Sequence, residues 1–121
     1  MRGMNPLPRK ITVQLATLVK SAPQGDSWLH EIKLDGYRMI CRIEHGKARF
    51  ISRNQNDWTA KFKKVATAAG ELSVKTAILD GELVALTKEG RSSFQMLQNS
   101  FRGIACSFSC HGFLVVFAVA F

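Results

Sequence analysis

Apolar and polar residues alternate from Trp28 to Lys33, as they do on a strand with one buried face. Gly36 breaks that run. Strands are expected next at Tyr37–Ile43 and Ala48–Ser52, joined at Glu44-His45-Gly46-Lys47 by a turn of hairpin length. From Asn56 to Leu72 the period lengthens. Trp58, Phe62, Val65 and Ala69 recur every three or four residues and predict an amphipathic helix with lysines on its outer side. Ala77–Leu86 is strand-like again, interrupted by Asp80-Gly81-Glu82. Phe94, Leu97 and Phe101 share one face of a helix over Ser93–Phe101, with Ser92 or Ser93 as its N-cap. Phe113–Phe121 reads as a fully buried strand. Ile11, Leu15, Leu18 and Val19 fit a helical face, yet the same stretch could be extended. Ser21–Ser27, with Pro23, Gly25 and Asp26, is a loop by composition. Residues 1–10 read as a tail or an extended lead-in.

Hairpins, one or two helices and further strands predict an α+β domain, a mostly antiparallel sheet with packed helices. A strand as apolar as Leu114-Val115-Val116-Phe117 needs neighbours on both sides, and the chain stops as it forms. That pattern predicts a domain cut short. With 121 residues, 46% hydrophobic and 21% charged, the chain has material for one domain with a core, which argues against disorder. Seventeen Lys and Arg against nine Asp and Glu leave a net charge of +8. Such a surplus suits a polyanionic partner, a nucleic acid or a nucleotide, without selecting one.

Three cysteines cannot all pair within one chain, so a reducing cytoplasm is expected. Cys106, Cys110 and His111 make half a metal-ligand pattern, and no second pair follows at zinc-finger spacing. Met1–Lys10 is basic but leads into no apolar signal-peptide core. The longest apolar stretch, Gly112–Phe121, is about half of what a membrane-spanning helix needs. No membrane association is expected.

The segment richest in chemistry is Glu31-Ile32-Lys33-Leu34-Asp35-Gly36-Tyr37-Arg38. On an extended backbone Glu31, Lys33 and Asp35 project from one face. A lysine between two carboxylates serves as a nucleophile only as the neutral amine. The carboxylates oppose that state, whereas burial, Arg38 or a metal ion favours it. Taken alone, the segment also reads as an exposed strand of alternating charge.

It does not stand alone. Lys-x-Asp-Gly-Tyr-Arg resembles the nucleotidyltransferase signature of ATP-dependent DNA ligases, RNA ligases and capping enzymes. Ser52-Arg53-Asn54 and Asp80-Gly81-Glu82 resemble that superfamily's second and third elements, in the right order. Gln14-Leu15-Ala16, Trp28 to Lys33, Asn56-Asp57-Trp58-Thr59 and Ser93-Phe94-Gln95-x-Leu97-Gln98 are similar to the ligase domain of bacterial DNA ligase D. These stretches favour a DNA ligase over an RNA ligase or capping enzyme, and the resemblance covers roughly residues 11–103.

The resemblance implies an ATP-grasp-like nucleotidyltransferase (adenylation) domain over residues 11–121, with ATP and Mg²⁺ or Mn²⁺ as cofactors. Lys33 would attack the α-phosphorus of ATP, form a lysyl-adenylate and release pyrophosphate. Glu31 would lie by the adenine, with Arg38 and Arg53 on the ribose and phosphate side. Glu82 would contact the ribose or the divalent metal, and Asp35 would support the lysine and the turn at Gly36. Gly36 and Gly81 would let the backbone turn sharply beside the ligand. The AMP acceptor would be nicked or broken double-stranded DNA, with end-joining repair proteins as partners, in the bacterial cytoplasm at the nucleoid.

His30 reads as an ordinary strand residue, His45 as a turn residue and Trp58 as core or a cap over the helix. Lys61-Phe62-Lys63 reads as a solvated helix face, although Lys61, Lys63 and Lys64 could touch a DNA backbone.

The pattern also departs from the family. In Phe117-Ala118-Val119-Ala120-Phe121 the family's stacking aromatic stands as Val119 and its acid as Ala120. Residues 103–112 match poorly, and the later lysine element and the OB-fold domain have no counterpart. Each missing charge-assisted phosphate contact is worth roughly 1.5–3 kcal/mol, so complete nick sealing by this chain alone is not expected. The alternative expectation is a truncated, catalytically inactive remnant that binds nucleotide or nucleic acid.

Overall fold

Residues that alternate between apolar and polar build Tyr37–Glu44 (β1) and Lys47–Ser52 (β2) into an antiparallel hairpin in the computed structural model. The structure describes residues 6–30 and 33–102, and the backbone of a strand at 112–118. The hairpin turns on His45 (φ 52°) and Gly46 (φ 75°). Both lie in the left-handed region that a two-residue type I′ turn demands.

Thr76–Leu86 (β3) pairs antiparallel with the other edge of β1, and Gly112–Ala118 (β4) pairs antiparallel with β3. The sheet therefore has four strands in the order β2-β1-β3-β4. Lys63–Gly70 (α1) packs on β2 and Phe94–Phe101 (α2) on β3. The expected α+β architecture with an antiparallel sheet is present. The Ser93 hydroxyl accepts from the Met96 N–H at 3.3 Å, the N-cap expected for α2.

Three local expectations need correction. Trp28–His30 and Lys33 have no strand structure, and Leu29 is 95% exposed. β1 begins only at Tyr37, and none of these residues pairs with a strand of the sheet. Residues 11–20, where a helical and an extended reading both stood open, form no helix. The helix expected from Asn56 begins only as a 3-10 turn at Thr59–Phe62. The Trp58 N–H donates to the Phe50 carbonyl at 2.8 Å, and the Asp57 carboxylate accepts from the Thr59 N–H at 2.9 Å and hydroxyl at 2.6 Å. Those bonds tie residues 57–59 to β2 before a helix can start. Thr59 and then Arg49 hold the Asp57 carboxyl below the usual carboxylate range. Finally, β4 lies at a sheet edge among the described residues, rather than between two neighbours.

One face of the sheet carries the core. Met39, Cys41, Ile43, Phe50, Leu83 and Ala85 pack against Phe62, Ala66 and Ala69 on one side and Leu97 on the other. Burial pushes the Cys41 thiol up to about 11, so it serves as a small hydrophobe rather than a nucleophile. The opposite face bears Arg38, Ile40 and Arg42 from β1, Ile51 from β2, and Asp80 and Glu82 from β3. An extended strap over residues 8–15 crosses this second face. Arg42 Nη1 donates to the Pro8 carbonyl, Gln55 Nε2 to the Ile11 carbonyl at 3.1 Å, and Arg38 Nη1 to the Gln14 carbonyl at 2.5 Å. Beneath the strap Ile40 is buried, close to Ile11 and Ile51. Among the described residues no helix is long and apolar enough to cross a membrane.

Candidate active site

The register of β1 against β3 places Arg38 directly opposite Glu82. The end of β2 and the turn after it bring Ser52, Arg53 and Asn54 to the same end of the sheet. With Leu15 from the strap, Gly36, Tyr37, Asn56, Trp58 and Phe94, these residues line one cavity of about 470 Å³. Three short segments, far apart in sequence, meet there because strand pairing folds them together.

Gly36 is indispensable for a reason other than the one expected. A Cβ at this position would stand 2.1 Å from the Leu83 carbonyl oxygen and 2.7 Å from Val84 Cγ1. Its chain passes so close to β3 that only a hydrogen fits. Gly81 does not turn the chain at all. It sits inside β3, paired with Met39 and Phe117, and β3 runs unbroken through Asp80-Gly81-Glu82.

Arg38 is held on two sides. Its Nε donates to Asp80 Oδ1 at 2.9 Å and its Nη2 to Asp80 Oδ2 at 2.5 Å, a bidentate pair. The Gln14 carbonyl takes Nη1. Asp80 thereby raises the Arg38 guanidinium above its already high ordinary value, so it stays charged. Burial pushes the Glu82 carboxyl above the usual carboxylate range, against the Gly36 N–H donated to it and the charges of Arg38 and Lys33. Asp35 adds to the upward push.

The sign of that shift fixes a stability effect. A carboxyl whose folded value lies above its unfolded one destabilises the fold as pH rises through the carboxylate range. Glu82→Gln removes that penalty and keeps an acceptor for the Gly36 N–H. Its melting temperature is expected to rise by about 1–3 °C at neutral pH, with little gain at acid pH, in thermal unfolding followed by circular dichroism. A lower melting temperature at neutral pH would contradict the assignment.

A family model described as ATP dependent DNA ligase domain matches residues 9–119. The chain belongs to the ATP-dependent DNA ligase domain family. It is 46% identical over 99 residues to the multifunctional non-homologous end joining protein LigD of Pseudomonas aeruginosa, covering 82% of this chain and 12% of that protein. Among solved structures it is similar to the ligase domain of Mycobacterium tuberculosis LigD, with a TM-score of 0.58 and 31% identity over 73% of this chain and 27% of that one. A mycobacterial DNA ligase D complexed with ATP and MES matches with a TM-score of 0.55 and 34% identity, over 72% of this chain and 26% of that one. This ligase-family chain thus spans about an eighth of the Pseudomonas relative's length. The resemblance to bacterial DNA ligase D expected from the motifs is met.

Not every anticipated residue reaches the ligase-family cavity. Gly36, Arg38, Arg53 and Glu82 line it. Lys33 and Asp35 are exposed on the irregular segment just before β1, near enough for Glu82 to feel both charges. The Asp35 N–H donates to the Ser92 hydroxyl at 3.4 Å. Glu31, Cys106, Cys110, His111, Val119 and Ala120 lie outside the described residues. Among the described residues no group of three or more His, Cys, Asp or Glu could hold a metal.

Two features of the cavity escaped the sequence reading. Tyr37, Trp58 and Phe94 form an aromatic wall, with Tyr37 ring centroids 5.1 Å from Trp58 and 5.0 Å from Phe94. Trp58 packs against the core, one of its two expected roles, and also lines the cavity. Lys61 is exposed as expected, but its ammonium lies 5.0 Å from the Trp58 ring centroid, supporting that wall from outside. The other omission is Asp80, which carried no assigned role beside Glu82. Spacing could have found it, since residues 80 and 82 share a strand face, but only the register shows which one takes Arg38.

Proposed function

We propose that this chain carries the nucleotide-binding part of a DNA ligase adenylation domain, with residues 11–121 forming a single partial domain. The observation that carries the reading is the convergence of Gly36, Arg38, Arg53 and Glu82 on one cavity beside Lys33. Its size suits a nucleotide, and its aromatic wall beside two arginines suits a flat base joined to a charged phosphate tail.

In this reading Lys33 Nζ, as the neutral amine, attacks the α-phosphorus of ATP. A P–N bond forms, the bond to the β-phosphate oxygen breaks, pyrophosphate leaves and Nζ loses a proton to solvent. Arg38 and Arg53 hold the ribose and phosphate side, where planar, permanently charged guanidinium groups suit fixed oxygen contacts. Glu82 takes a ribose hydroxyl or, with phosphate oxygens, a divalent cation. One carboxylate plus substrate phosphates fits how Mg²⁺ is commonly bound. Mg²⁺ or Mn²⁺ would neutralise the triphosphate charge as pyrophosphate departs. Glu31 would contact the adenine, as the family resemblance implies, and Asp35 would support the approach of Lys33.

AMP then passes to the 5′-phosphate of nicked or broken double-stranded DNA, and the 3′-hydroxyl displaces it. The net charge of +8 favours such a substrate, and the relatives' names point to end-joining repair, hence to the bacterial cytoplasm and nucleoid. The test is incubation with α-labelled ATP and Mg²⁺ or Mn²⁺, followed by a denaturing gel. Covalent label that is lost on adding a nicked duplex supports the full reading. No label from folded protein overturns it and leaves a remnant that binds nucleotide or nucleic acid.

A further inference from the structure

β3 offers two carboxylates, Asp80 and Glu82, on the same face of the sheet. Arg38 stands directly opposite Glu82, and directly opposed charges of opposite sign normally pair. Here they do not. Arg38 reaches diagonally and gives both Nε and Nη2 to Asp80. Among the described residues Glu82 forms no ion pair, and its carboxylate takes the Gly36 N–H instead.

We infer that Asp80 is a positioning residue that holds Arg38 away from Glu82, so that both remain available to a nucleotide. The inference rests on the nucleotide-site reading above. An arginine has five N–H donors, and Asp80 and the Gln14 carbonyl engage three of them. Two are left over for a ligand. Both anchors are needed to fix the plane of the guanidinium, one from the sheet and one from the strap. Without Asp80 the guanidinium has a second carboxylate directly across the strand. Arg38 and Glu82 would then neutralise each other, and the site would lose its fixed cation and its free carboxylate together.

As a tie for the fold alone the pair contributes modestly. Arg38 and Asp80 side chains are each about one third exposed, and exposed ion pairs contribute little to stability. What the pair does fix is direction, because two parallel N–H···O bonds align the guanidinium with the carboxylate and the Gln14 carbonyl completes its hold.

The experiment is an equilibrium titration of the full chain with labelled ATP, using wild type, Asp80→Ala, Arg38→Ala and the double variant. Asp80→Ala is expected to weaken ATP binding about ten-fold. In the Arg38→Ala background the same change should have no further effect. Asp80→Asn keeps the side-chain volume and one acceptor, so it should show a smaller loss with an unchanged melting curve. Equal losses from Asp80→Ala in both backgrounds, or an unchanged affinity in the single variant, would overturn the inference while leaving the site intact. Failure of the underlying reading looks different. Wild type would not bind ATP, or Arg38→Ala would bind it as well as wild type, and the inference would fall with it.

Discussion

Replacement of Lys33 by arginine is expected to abolish covalent transfer of AMP from labelled ATP, a loss of about a thousand-fold or more, while ATP binding changes by only a few-fold. The substitution separates charge from nucleophilicity. An arginine keeps a cation near Glu82 but cannot present a neutral nitrogen at any working pH. Alanine removes both, and should lose the label as completely with somewhat weaker binding. Lys33 is exposed on an irregular segment, so neither change should disturb the core. A denaturing gel and an ATP titration on the same preparation decide the matter. Label that persists in Lys33→Arg would place the nucleophile elsewhere.

The largest effect on stability is expected at Gly36. An alanine there would bring a methyl carbon to 2.1 Å from the Leu83 carbonyl oxygen. That oxygen belongs to the backbone of β3, which is paired on both sides, so it cannot swing away as a side-chain tip could. Overpacked cores commonly lose 1–3 kcal/mol, and a clash with the backbone belongs at the upper end or beyond, about 3 kcal/mol or more. Against a total of roughly 5–15 kcal/mol, this leaves a much weakened fold. Urea denaturation should show a large fall in the midpoint. The surviving folded fraction should also bind ATP poorly, since the displaced Gly36 N–H no longer meets Glu82. An unchanged midpoint would show that the segment has room to move away from β3.

Much of this was legible in the sequence, for physical reasons that can be named. The β1–β2 hairpin was readable because a two-residue turn, with Gly46 in it, sits between two alternating runs. The helix Phe94–Phe101 was readable because its apolar period and its serine cap agree. The ligase motifs were readable because each is a dense local cluster of charge and glycine. Alternation, however, reports only which residues face which way. It cannot say whether a run finds a partner in the sheet, and so Trp28–His30 looked like a strand. The apolar period from Trp58 onward was real, yet bonds from Asp57 and Trp58 to Thr59 and β2 delayed the helix. The partner of Arg38 was hidden for a related reason. Choosing between Asp80 and Glu82 takes a cross-strand register, which is a property of the pairing and of no single segment.

The strap over residues 8–15 is fastened through three of its own carbonyl groups, at Pro8, Ile11 and Gln14. Every amino acid carries that group. The information that secures the strap is therefore written in the residues that grip it, Arg42, Gln55 and Arg38, rather than in the strap itself. Pro8 and Gln14 contribute only a backbone carbonyl to these bonds, whereas Ile11 also places its side chain beside Ile40 and Ile51. Arg38 is at once a fastener for the strap and a wall of the cavity, so one substitution there would undo an anchorage and a binding contact together.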